Sequence, residues 1–100
     1  LSTHKDVCSG NHLFVILIDF ETNKISRKEL MENLKKEGIG TQVHYIPVYK
    51  QPYYQNLGYS SVGLEQTDLY YQKALSIPLF PFMSKKDCDK VVNSLNKYLC

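Results

Sequence analysis

Hydrophobic positions along the chain follow two different rhythms, and each predicts its own element. His12–Ile18, HLFVILI, is a compact apolar and partly β-branched run of the kind that forms a buried strand. ISRKELMENLKKEGIG then switches to helical spacing, with Leu30, Met31 and Leu34 on one face. Ser26 stands where an N-cap is needed, Glu29 completes a capping box three residues on, and Gly38 supplies the stop. Thr41–Tyr45 reads as a second short strand, entered through Gly40. Periodicity is lost from Ile46 to Gly63, where Pro47, Pro52, Gly58 and Gly63 punctuate a long loop with room for a helical turn. Leu64–Lys73 predicts a weaker helix and Ala74–Pro78 a third short strand. Ser84 then caps a last helix, with Asp87 three residues later and Cys88, Val91, Val92, Leu95 and Leu99 at helical spacing. The order strand–helix–strand–loop–helix–strand–helix predicts an α+β fold, a small two-layer sandwich with a three-stranded sheet packed by helices.

Length and charge narrow the possibilities without choosing a function. One hundred residues make a single domain, 1–100, with one modest core. Twelve Lys and Arg against ten acidic residues leave a net charge of +2, and the basic residues are scattered as pairs such as Lys35–Lys36. That reads as solvated helix faces and not as a phosphate track, so no nucleic-acid partner is expected. No apolar run approaches the roughly 20 residues that cross a bilayer, and the opening residues lack the basic-then-apolar pattern of a leader, so neither membrane nor leader is expected. Cys8, Cys88 and Cys100 are odd in number and far apart. They make neither a disulfide framework nor a metal site, and reduced thiols in a cytoplasmic protein are the simpler expectation.

The aromatic loop carries the functional argument. Seven of the eight tyrosines fall between Tyr45 and Tyr71. Each offers an apolar face and a polar tip, suited to a surface that contacts a half-wet partner. For Tyr53, Tyr54, Tyr70 and Tyr71 individually, the plainer reading is packing of the loop onto the sheet. His44 and Tyr45 end the second predicted strand, where side chains face a site, although a strand-end histidine also serves purely structural ends. There is no second ligand at metal spacing, no glycine-rich phosphate loop and no Ser or Cys nucleophile motif. No catalytic residue is therefore expected in this chain, and no metal.

In order and spacing, five segments resemble one family: NHLFVILI at Asn11–Ile18, GIGTQVHYIPV at Gly38–Val48, QPYY at Gln51–Tyr54, ALSIPLFPFMS at Ala74–Ser84, and DKVVNSL at Asp89–Leu95. The chain resembles the C-terminal small domain of the DegT–StrS sugar aminotransferases. Within them it is most similar to the subgroup acting at C4 of UDP-linked 4-keto-6-deoxy sugars, as in pseudaminic acid synthesis. The resemblance implies a pyridoxal-phosphate enzyme of fold type I that aminates a keto-sugar carried on a nucleotide for glycan or polysaccharide precursors. The Schiff-base lysine and the phosphate-binding residues would lie in a large domain outside this chain, so the chain alone would not be catalytic. It further implies a nucleotide-sugar substrate, glutamate as amino donor and a homodimeric whole protein. By matching position the substrate-facing candidates are His44, Tyr45, Pro47 and Tyr49, with Pro47 shaping the turn. Where many relatives carry a second histidine this sequence has Tyr49, so that histidine's role does not transfer; Lys50 is not a match for the Schiff-base lysine. Two other readings stay open on the residues alone: a free-standing α+β module binding a peptide or small ligand, and the small domain of a related pyridoxal-phosphate-fold sugar dehydratase.

Overall fold

A computed structural model describes residues 4–99. Strand β1 (Phe14–Leu17) leads to helix α1 (Arg27–Lys36), then a 3₁₀ turn (Val48–Lys50) and the short helix α2 (Pro52–Asn56). Helix α3 (Glu65–Lys73) runs directly into strand β2 (Ala74–Ile77), and helix α4 (Lys85–Leu99) ends the described chain.

Local chemistry sets the helix limits. The Ser26 hydroxyl accepts the Glu29 backbone N–H at 3.1 Å, opening α1. At its other end Gly38 takes φ +77°, a conformation that costs glycine nothing. There the Gly38 N–H donates to the Lys35 carbonyl at 2.9 Å and the Ile39 N–H reaches the Leu34 carbonyl at 2.9 Å. This is a Schellman end, and it delivers Ile39 into the core beside Leu34. Helix α4 opens on a reciprocal box. The Asp87 N–H donates to Ser84 Oγ at 3.2 Å, and the Ser84 N–H donates to Asp87 Oδ2 at 2.9 Å.

The strands β1 and β2 pair antiparallel with Phe14 opposite Ile77 and Ile16 opposite Leu75. Side chains alternate across a sheet, so Ile16, Ile18, Leu75 and Ile77 share one face. Helices α1 and α4 cover that face, and Ile18, Leu30, Leu34, Ile39, Leu75 and Val91 form the buried cluster. Leu30, Leu34 and Leu75 are wholly enclosed. Val15, Leu17, Ala74 and Ser76 look the other way, toward the segment that follows Gly40.

Three sequence expectations are corrected. The third strand, Thr41–Tyr45, is reduced to a single bridge in which Gln42 pairs with Ser76, through bonds of 3.1 and 2.8 Å. Continued in register, the ladder would set His44 opposite Ala74. Instead the His44 ring bonds the Ser76 side chain, and Pro47 beyond it has no N–H to offer a ladder. The α+β class holds, but with a two-stranded sheet and one bridge at its edge. The first apolar run is also not buried throughout. Phe14 and Leu17 are about half exposed, and Phe14 stays outside the cluster that Leu30 and Leu34 join. On α4, Cys88 and Val92 lie on the exposed shoulder; the inward stripe is Val91, Ser94, Leu95, Tyr98 and Leu99. Ser94 can occupy a core-facing position because its hydroxyl donates to Glu37 Oε2 at 2.6 Å.

Candidate functional site

His44 is half-buried on the side of the sheet away from α1 and α4. Its Nδ1 shares a 2.8 Å hydrogen bond with Ser76 Oγ, and Ser76 is itself buried. That contact fixes the ring plane and ties the tautomer to the serine proton. Tyr45 packs edge-on against the imidazole, with centroids 4.7 Å apart and planes at 81°. Its own ring is 74% exposed. Together they form a rim: a histidine held from behind and an aromatic face offered outward. In front of it runs a cleft of about 160 Å³, lined among others by His12, Thr41, Gln42, His44 and Ser76.

The other two candidates sit deeper. Pro47 is buried, and its carbonyl accepts the Lys50 N–H at 2.9 Å to start the 3₁₀ turn. Tyr49 is also buried, with its hydroxyl donating to Asp68 on α3. Burial first, and the carboxylate second, push its phenol up to about 12. The structure thus brings His44 and Tyr45 together at an open rim and uses Pro47 and Tyr49 to fasten the segment behind it. Lys50 Nζ is 2.7 Å from Asp68 Oδ1, and that ammonium is the main reason the carboxyl lies below the usual range.

Beyond the 3₁₀ turn the chain leaves the core altogether. Every residue from 51 to 60 is exposed. Tyr53, Tyr54 and Tyr59 pack against one another, at 5.2 and 5.9 Å between centroids, and not onto the sheet. Tyr70 and Tyr71 on α3 are half-buried, as the packing reading expected of them. A radius of gyration of 15.8 Å exceeds the ~13 Å usual for a compact domain of this length, as fits a chain with such an excursion.

Three contributors escaped the sequence reading. Ser76 left one sign: a polar residue in the middle of ALSIP, which needs a partner once buried. Asp68 and His12 left none, because their roles depend on residues distant in the chain. A groove of about 580 Å³ runs along α1 and residues 39–42, lined among others by Arg27, Lys28, Met31, Glu32 and Lys35. Among the described residues no three His, Cys, Asp or Glu side chains are placed to hold a metal ion, and no helix is long and apolar enough to cross a membrane.

The described residues thus form a small α+β layer with an aromatic, histidine-bearing rim and a helical excursion. The pattern of the DegT/DnrJ/EryC1/StrS aminotransferase family matches residues 1–96, and the chain belongs to that family. The Bacillus subtilis spore coat polysaccharide biosynthesis protein SpsC is 39% identical over 94 residues. An uncharacterised protein of Methanocaldococcus jannaschii is 37% identical over 94 residues. These alignments take in 92% and 93% of this chain but 24% of each relative. Among solved structures, Helicobacter pylori PseC, an aminotransferase involved in the biosynthesis of pseudoaminic acid, superposes with a TM-score of 0.81 at 29% identity, over 91% of this chain and 24% of its own. Streptococcus pneumoniae Spr1654 shares the fold, with a TM-score of 0.74 at 22% identity, over 87% of this chain and 22% of its own. The chain spans about a quarter of the length of these relatives.

Proposed function

We propose that this chain is the small domain of a pyridoxal-phosphate-dependent aminotransferase that aminates a keto-sugar nucleotide, and that it closes over the active site of the whole polypeptide. The observation that carries the reading is the rim. His44 is locked by Ser76 while Tyr45 remains open, in a family of aminotransferases whose members here include proteins of polysaccharide and pseudoaminic acid biosynthesis. An aromatic face beside hydroxyl, amide and imidazole groups suits a ligand that is half sugar and half base. In this reading His44 and Tyr45 contact the substrate, and Pro47 and Tyr49 shape the wall behind them.

Pyridoxal phosphate needs a lysine amine to carry it, and the residues around the rim do not offer one. The cleft at His44 is lined by no lysine, and Lys50 is held in its ion pair with Asp68. In this reading attachment and activation of the cofactor fall to a large domain outside this chain, and these residues act as cover. The same reading carries glutamate as amino donor, a homodimeric whole protein and a cytoplasmic setting.

The test compares the chain alone with the polypeptide that bears it, each supplied with pyridoxal phosphate, glutamate and a 4-keto-6-deoxy sugar nucleotide. Amino-sugar product from the polypeptide only is the expected result. Turnover by the chain alone would overthrow the domain assignment. Loss of a sugar hydroxyl without amination would move the reading to a dehydratase.

A further inference from the structure

The aromatic wall is fastened at two points, and both lie on one continuous stretch of chain. At its near end His44 bonds Ser76 on β2. At its far end Tyr49 and Lys50 both reach Asp68 on α3, the first through its hydroxyl and the second at 2.7 Å. Helix α3 passes into β2 with no intervening loop. The segment from Tyr45 to Val48 is thus strung between two anchors eight residues apart on a single helix–strand unit.

The joint between helix and strand is itself secured. Arg27, at the start of α1, donates to the Tyr71 carbonyl and, at 3.2 Å, to that of Ala74. The Tyr71 carbonyl is among the last of α3, which have no partner further along the helix, and Ala74 opens β2. The same guanidinium lies 4.8 Å from the centroid of the Tyr71 ring, and Lys50 Nζ approaches that ring at 5.1 Å. Beyond this clasp residues 51–60 are all exposed. We propose that Asp68 is a positioning residue: by clasping Tyr49 and Lys50 together it holds the His44–Tyr45 rim in the geometry that receives the sugar nucleotide.

The proposal rests on the function given above, so its test has one arm that is independent of activity. In the whole polypeptide, Asp68→Asn keeps the size of the side chain and removes the charge. Tyr49→Phe removes one bond only and serves if the first variant does not fold. Hydrogen exchange should then accelerate about tenfold or more at the amides of residues 48–60, whose turn bonds depend on the clasp, while α1 and α4 keep their protection. The KM for the sugar nucleotide should rise about tenfold with little change in kcat, and the reaction with glutamate should be spared. Asp68→Glu, which keeps the carboxylate, should recover part of the loss. Unchanged exchange at 48–60 in Asp68→Asn would show that the clasp holds nothing. Faster exchange with unchanged KM, in a protein where His44→Ala does raise KM, would sink the positioning role alone. If His44→Ala leaves KM unchanged as well, the substrate-facing reading of the rim falls too, and the exchange arm still reports whether Asp68 fastens the loop.

Discussion

The layer of α1, α4 and two strands and the aromatic excursion after Pro47 obey opposite rules. In the first, Leu30, Leu34 and Leu75 are wholly enclosed, and Ser94, the polar group facing inward, has a partner. In the second, Val48, Tyr53, Leu57, Tyr59 and Val62 are each about 60% exposed or more. A chain of this size gains its stability from apolar burial. Leaving those side chains in water forgoes that gain, and under the proposed function they meet the rest of the polypeptide or its substrate. The difference separates residues that keep the domain folded from residues that give it a use.

Substitution should divide along the same line. The largest stability effect is expected in the helical layer. Leu34→Ala should cost about 2–5 kcal/mol, a large share of the roughly 5–15 kcal/mol that holds an ordinary domain. A denaturation midpoint that does not move would mean the buried face of α1 is misassigned.

Acid provides a second, gentler probe of that layer. Glu37 accepts from Ser94 at 2.6 Å, Lys97 at 2.7 Å and Tyr98 at 2.7 Å, joining the end of α1 to α4. The Lys97 bond first, then those of Ser94 and Tyr98, hold its carboxyl at about 2, against an ordinary 4.5. A carboxyl depressed on folding stabilises fully above its unfolded value, and that contribution drains away as the pH falls from about 4.5 toward 2. Thermal melts across that window should lose ground in the native protein and change less in Glu37→Gln. Parallel pH profiles for the two proteins would show that the junction does not depend on this charge.

The smallest stability effect should come from the excursion. Tyr53→Ser removes a ring that is 68% exposed and packs edge-on against Tyr54, so stability should stay within about 0.5 kcal/mol of the parent. A loss comparable to that of Leu34→Ala would erase the distinction between the two regions.

How far each region could be read from sequence follows the same division. Helix α1 was legible to the residue because its signals are local: Ser26 opens it, an apolar stripe sets its face and Gly38 ends it. Helix α4 and strand β2 announced themselves in the same way. The edge strand failed because Thr41–Tyr45 has strand-like residues, while the ladder is broken by a side-chain bond from His44 to a serine 32 residues away. Ser94 was overlooked as an inward residue because its partner Glu37 lies 57 positions back. The positions of His44 and Tyr45 in the aromatic stretch were legible through the family pattern. What fastens them was not, since the contact between Tyr49 and Asp68 spans 19 residues and a loop without periodicity.

The central claim, that the rim serves the sugar nucleotide, is tested most directly by following the two half-reactions of the His44→Ala polypeptide separately in a stopped-flow instrument. Under the proposed function His44 orients the substrate through a hydrogen bond, whose loss is worth about 1–3 kcal/mol, or roughly ten- to a hundredfold in kcat/KM. The account predicts that loss in the half-reaction with the keto-sugar nucleotide and a much smaller one with glutamate, which is too small to need a nucleotide-sized wall. An equal loss in both halves would assign His44 to the cofactor or to the chemistry. No loss in either would leave it a structural histidine bonded to Ser76, and the claim would be wrong.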